Sequence, residues 1–284
     1  MSPVIITYAI STLAAGLLYA TVGCSFYFGS VANRYLNFAV AIPLIAVPHV
    51  VAACAAPTRW LIAGPAIIAV AAICAAGLLW LSHRARKAST SDGQLMVMSL
   101  AVLAVFENVI RLWRGNESIG FAEATVGASG LSTMTLIALL SVIVVCVALL
   151  SRFTPFGLST RAVAASRDSV ALAGISVKGL EAATTFAGCI LSGIAGIGWA
   201  YEWRVRPDSA FTAALLGVVS YVIGRRLNED VLSVIGAAVA IAIARCILLV
   251  AFQSDWTMTA LLIVFLGTTV FAPQQWMRRR IAVE

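Results

Sequence analysis

Few residues in this 284-residue chain have types and spacing suited to chemistry, and most of those stand alone. His49 and His83 are isolated, so no zinc constellation can be built from them. The six cysteines (Cys24, Cys54, Cys74, Cys146, Cys189, Cys246) lie in apolar runs without a C-x-x-C pair. They read as small buried hydrophobes. Glu107 and Glu123 lie near the ends of apolar runs, at a membrane boundary, but lack the acid, base or metal partners that a hydrolase needs. There is no G-x-x-x-x-G-K-[ST], so the chain cannot hydrolyse ATP by itself. Gly193-Ile194-Ala195-Gly196-Ile197-Gly198 sits inside an apolar run with no strand before it, which excludes a dinucleotide fingerprint.

Three features remain. The first is a polar segment, Ser159 to Ile175, carrying Arg161, Ala164, Ala165, Arg167, Asp168 and Gly174. Ser159 or Thr160 can cap a helix start and Gly174 suits a left-handed stop, which predicts one helix over about 160–173. Such a helix is too short and polar to span. It lies along a membrane face, with Arg161, Arg167 and Asp168 available to a soluble partner. The second is a row of small residues four apart, Thr184, Gly188, Ser192, Gly196 and Ala200. Residues at that spacing share a helix face and let another helix approach closely. The row serves either plain packing or a helix lining a pathway. The third is Arg245, within an apolar run where a charge is costly. It is either structural, bonded to carbonyls or snorkelling, or a contact for an anionic group in a pathway.

The elements that position these residues follow from composition. Hydrophobic residues make up 61% of the chain and charged residues 11%, against about 25% charged in soluble domains. That excludes a soluble globular protein, a disordered chain and a disulfide scaffold. The apolar runs are about 20 residues long, enough to cross a bilayer as a helix, with room for roughly eight or nine spans. The reading is an all-α polytopic transmembrane bundle, a single domain over 1–284, with spans at about 4–28, 36–56, 60–82, 94–110, 131–151, 182–201, 210–224, 231–252 and 256–273. The 210–224 run is short enough to be re-entrant or broken, and 111–130 reads as an external loop. The net charge of +7 belongs to loops that collect Lys and Arg on the cytoplasmic side, not to nucleic acid binding. One parity puts every basic cluster inside: 83–92, 152–181, 225–230 and the tail Arg278-Arg279-Arg280. The N-terminus is then outside. Met1-Ser2-Pro3-Val4 lacks a basic n-region, so the first run is expected to be a retained span.

Several stretches resemble the permease of the branched-chain amino acid type of ABC importer. They are Arg161-Ala162-x-Ala164, Ala171, Gly174-Ile175 and Phe186-Ala187-x-x-x-x-Ser192-Gly193-x-Ala195-Gly196. Earlier in the chain, Gly16-x-x-Tyr19 precedes Leu36-Asn37-Phe38-Ala39, which is similar to that family's Asn-Phe-Ala-His-Gly element. Ala213-Ala214-Leu215-Leu216-Gly217 and Phe271-Ala272-Pro273-Gln274 are fainter echoes. Val40-Ala41 stands where the family has His-Gly, Val218 where it has a second Gly, and Ala272 where it has Arg, which marks a divergent member.

The resemblance implies a coupling helix within 152–181 that docks on an ATPase, using Arg161, Ala164, Ala165, Arg167, Asp168 and Gly174. It adds a pathway role for Asn37 and Phe38, beside the pathway or packing roles that residue type and spacing leave open for Gly188, Ser192, Gly196 and Arg245. It further implies a multi-pass protein of the bacterial inner membrane with no cofactor in this chain. ATP and Mg would sit on two ATPase subunits. The other partners would be a second permease copy or paralogue, an external binding protein and the lipid bilayer. The solute class is amino acid, amide or urea. Two other readings compete: an ATP-independent secondary transporter, which needs a titrating group inside the membrane, and a non-transporting assembly subunit.

Overall fold

The computed structural model describes residues 3–54, 59–87, 90–121, 133–227 and 230–252, and the single positions Thr259, Ile263 and Gly267. Among the described residues ten α-helices run in order: α1 (Pro3–Val31), α2 (Ile42–Ala52), α3 (Arg59–Lys87), α4 (Asp92–Arg114), α5 (Thr133–Phe153), α6 (Pro155–Ala165), α7 (Arg167–Leu172), α8 (Val177–Glu202), α9 (Ser209–Leu227) and α10 (Val231–Phe252). A one-turn 3-10 helix, Phe38–Ala41, precedes α2. Among the described residues, seven helices are long and apolar enough to cross a bilayer. The last expected span, 256–273, and the basic tail lie outside the described residues apart from those three single positions.

α1, α8 and α9 form the buried centre, and α1 packs on α8, α9 and α10. Helices α3, α4, α5 and α10 surround them and turn large apolar side chains outward, among them Ile73, Leu112, Leu139 and Ile247. An apolar face turned away from the core is what lipid requires, since lipid tails are as apolar as Leu.

The ends of the bundle sort by charge. Arg86, Arg167 and Glu181 meet at one end, so the 83–87 and 152–181 connections share it. At the other end, Ile119 pairs with Val205 through two backbone bonds of 2.8 and 2.7 Å. That the 83–87 and 152–181 connections share an end is what the expected parity requires of them.

Three expected elements differ. The span over 36–56 is not a continuous helix but an extended stretch, a 3-10 turn and the 11-residue α2. Pro43 sits in the first turn of α2, where its missing N–H costs nothing and its fixed φ suits a helix start, so a new helix begins there. Conversely, 210–224 is neither re-entrant nor broken, because α9 runs 19 residues without interruption. The helix predicted over 160–173 is two helices. The first starts earlier, with Thr154 as its cap (its side chain accepts from the Gly157 N–H at 3.3 Å) and Pro155 in its first turn. Ser166 then breaks the chain in an extended conformation before α7. Thr160 is no cap: it is buried within α6 and donates to the Phe156 carbonyl at 2.8 Å. Gly174 does take the left-handed stop, with φ +79°.

Candidate functional site

The break before α2 leaves backbone groups without helical partners inside an apolar bundle, where each unsatisfied group is costly. Two serines from neighbouring helices supply what is missing. Ser30 of α1 accepts from the Asn37 N–H at 3.2 Å. Ser99 of α4 accepts from the Phe38 N–H at 3.1 Å. The backbone of the break is thus held, but the Asn37 side chain is not. It is 1% exposed, and neither its Nδ2 nor its Oδ1 has a partner among the described residues. Phe38 packs edge-on against Phe26 of α1 at 6.3 Å.

The small-residue row of α8 lies against this break. A Cβ at Gly188 would sit 2.7 Å from the Ser25 carbonyl oxygen and 3.0 Å from the Gly29 nitrogen, both backbone of α1. A Cβ at Gly196 would sit 2.2 Å from the Leu44 carbonyl oxygen of α2. The Leu44 carbonyl is the one that Pro48 leaves without a helical donor, since proline has no N–H. Close approach of a glycine there covers it with backbone rather than lipid. Ser192 lies one turn from each glycine on the same face. Its hydroxyl is buried and has no partner among the described residues. The row is therefore an interior packing seam that carries one unpartnered hydroxyl.

At the basic end, α6 and α7 form the polar segment singled out in the sequence. Ala165 and Asp168 are exposed, Ala164 is half-buried, and Leu172 at the tip is 89% exposed. Arg167 does not face outward as expected. Its guanidinium turns inward and donates to the buried Glu181 carboxylate. A buried carboxylate is costly unless paired, and Arg167 is the nearer of the two cations within reach, Arg86 being the other. Arg161 also folds back, with its guanidinium 3.5 Å from the Arg152 carbonyl. The outward face is therefore mainly apolar and small. Glu181 itself, with Arg86, Asn33 and Thr185, escaped the sequence reading. The signal was present, since a lone carboxylate in the opening turns of an apolar helix needs a cation from somewhere else.

Arg245 has a structural setting at the opposite end. It donates to the Tyr19 hydroxyl at 2.6 Å and lies 5.1 Å over the Trp203 ring. Trp199 and Trp203 stand edge to face at 4.9 Å, with Tyr19 within 6.1 Å of both. Outside this aromatic group is a polar cavity of about 330 Å³, lined by Trp199, Trp203, Arg204, Arg206, Asp208 and Ser118 among others. The structure brings Asn37, Phe38, Gly188, Ser192 and Gly196 into one region, and places Arg245 apart from them beneath this cavity.

The family model described as branched-chain amino acid transport system / permease component matches residues 6–269 of the chain. No curated protein and no solved structure matches.

Proposed function

The chain belongs to the permease components of branched-chain amino acid transport systems, and from that premise we propose that it is the membrane-spanning subunit of an ATP-driven importer for a small polar solute. The solute is of the amino acid, amide or urea class. Two ATPase subunits carrying ATP and Mg bind the basic, cytoplasmic end. A second permease, a copy or a paralogue, completes the pathway, and an external binding protein loads the polar cavity at the outer end. The membrane is the bacterial inner membrane. Nucleotide acts by binding one arrangement of the assembly better than the other, which moves the α6–α7 element and the spans joined to it.

One observation carries the reading: the unpartnered Asn37 amide at an unwound stretch of backbone deep in the bundle. Broken helices at membrane depth in transporters mark the place where solute meets freed polar groups. A carboxamide offers both a donor and an acceptor. Both suit a solute with polar groups of either kind. Replacing Asn37 by Leu should therefore separate stability from transport. It removes a buried group whose unmet desolvation costs about 1–3 kcal/mol, so thermal stability should hold or rise. Uptake into vesicles containing the full complex should fall at least about tenfold. Uptake at the native level in Asn37→Leu would take Asn37 out of the pathway.

The ATP-independent reading is weaker on a specific ground. The buried carboxylate Glu181 is paired to Arg167 and lies 3.9 Å from Arg86. Both guanidiniums are engaged with it, which suits a fixed joint between helices rather than a mobile carrier.

Sidedness has its own test. In a background lacking the native cysteines, Ala165→Cys should resist an impermeant thiol reagent applied to intact cells and react after permeabilisation. Labelling from outside at that position would invert the orientation.

A further inference from the structure

We propose that Glu181 is the joint through which movement of the α7 tip reaches α1 and α3. The inference rests on the importer reading above, because it assigns a route for force that the ATPase would supply.

Glu181 is 2% exposed, in the second turn of α8. Its carboxylate accepts from Arg167, the first residue of α7. The Arg86 guanidinium, from the last turn of α3, lies 3.9 Å from the same oxygen. Arg86 also donates to the Asn33 carbonyl at 2.6 Å, just past the end of α1. The Asn33 carboxamide donates to the Gly29 carbonyl at 2.8 Å and to the Thr185 hydroxyl at 3.0 Å, back on α8. Four helices, α1, α3, α7 and α8, are thus tied by one continuous polar chain.

The tip depends on this chain because its covalent attachments are weak. Residues Ala171–Ser176 are exposed. On one side the tip joins α6 through the extended Ser166, and on the other it joins α8 through the left-handed Gly174. Neither joint continues a helix, so each can bend. Val170 is buried and anchors the tip by packing. The Arg167–Glu181 pair fixes its direction, since charge-assisted guanidinium–carboxylate bonds are strongly oriented. A buried ion pair is poor at raising net stability compared with apolar side chains of similar volume. Its value here is geometric: a push on the tip arrives at α8 and, through Arg86 and Asn33, at α3 and α1.

The test uses the assembled complex with its ATPase subunits, in nanodiscs, and a readout that needs no solute. Spin labels at Lys87→Cys, at the end of α3, and at Leu227→Cys, at the end of α9, report the width of the basic end by pulsed electron resonance. Both positions are exposed. In a background lacking the native cysteines but otherwise unchanged, ATP binding should shift this distance. Arg167 is 25% exposed, so Arg167→Gln leaves Glu181 its Arg86 partner and should fold. The expected result is that the ATPase stays bound and hydrolyses ATP while the fraction of complexes showing the shift falls about tenfold. Arg167→Lys should restore part of it by returning the charge without the fork. Glu181→Gln should lose the shift as well.

A native-sized shift in Arg167→Gln with ATPase bound would overturn the joint and leave the importer reading standing. Failure of the native chain to hold an ATPase would overturn the importer reading, and the joint with it. A purely structural role would lower thermal stability in Arg167→Gln while the folded complexes still shifted, and this too counts against the joint.

Discussion

Gly196→Leu should abolish the folded protein, and Gly188→Leu should come close to doing so. At both positions the obstacle is backbone, which cannot swing aside as a side chain can. The Leu44 carbonyl oxygen lies 2.2 Å from where a Cβ would stand at Gly196, and the Ser25 carbonyl oxygen lies 2.7 Å from one at Gly188. Even the first carbon of a side chain forces α8 away from α2 or α1. Overpacking of a well-packed core costs about 1–3 kcal/mol where neighbours can adjust. Here they cannot, and displacing α8 would also uncover the Leu44 carbonyl that Pro48 leaves without a donor. The expected result is loss of monodisperse protein after mild solubilisation, with Gly196→Ala already lowering the thermal midpoint. Two controls bound the effect. Ile190→Leu lies off the seam on α8 and should be mild. Gly77→Leu on α3 meets no heavy atom within 4 Å of its Cβ and should be near neutral. Equal tolerance at 77, 188 and 196 would mean that the seam does not exist.

Leu172→Asp should leave the fold alone and remove the ATPase. At 89% exposure, Leu172 gives up almost no burial in the free chain. The change should be silent in abundance and in thermal midpoint, since exposed substitutions away from special features stay within about 0.5 kcal/mol. In the complex the same position lies at the centre of a small, mainly apolar tip formed by Ala171, Leu172, Ala173 and Ile175. Burying an unpaired carboxylate there costs about 3 kcal/mol or more, roughly a hundredfold in affinity. Ala165→Asp, exposed at the end of α6, should act in the same direction but more weakly if it lies at the rim. The measurement is co-purification of the ATPase against membrane abundance. Normal co-purification with both variants would remove α6–α7 as the docking element.

These expectations divide between chain and fold in a physically consistent way. Composition and run length alone determined an all-α membrane bundle, because lipid offers no partner to a peptide group and only helices of about 20 residues can meet that demand from local sequence. The alternation of basic loops, the need for close approach along Thr184, Gly188, Ser192, Gly196 and Ala200, and the left-handed stop at Gly174 were legible for the same reason: each depends on residue type and near neighbours. The break at 36–41 was not legible: Pro43 starts a helix while Pro48 and Pro65 sit inside helices, and a hydropathy run passes over all three unchanged.

What the sequence could not decide was pairing across distance. Arg167 has the same sequence surroundings whether it faces a partner or turns inward. Only the arrival of the start of α8 beside it, with Glu181 already buried, settles the direction. Arg245 is equally ambiguous until Tyr19 and Trp203, far from it in sequence, close around it. Asn37 becomes distinctive only when Ser30 and Ser99 satisfy the backbone and leave the amide without a partner. A charge or an amide inside a membrane takes its role from the groups that come within about 4 Å of it, and tertiary packing alone brings them there.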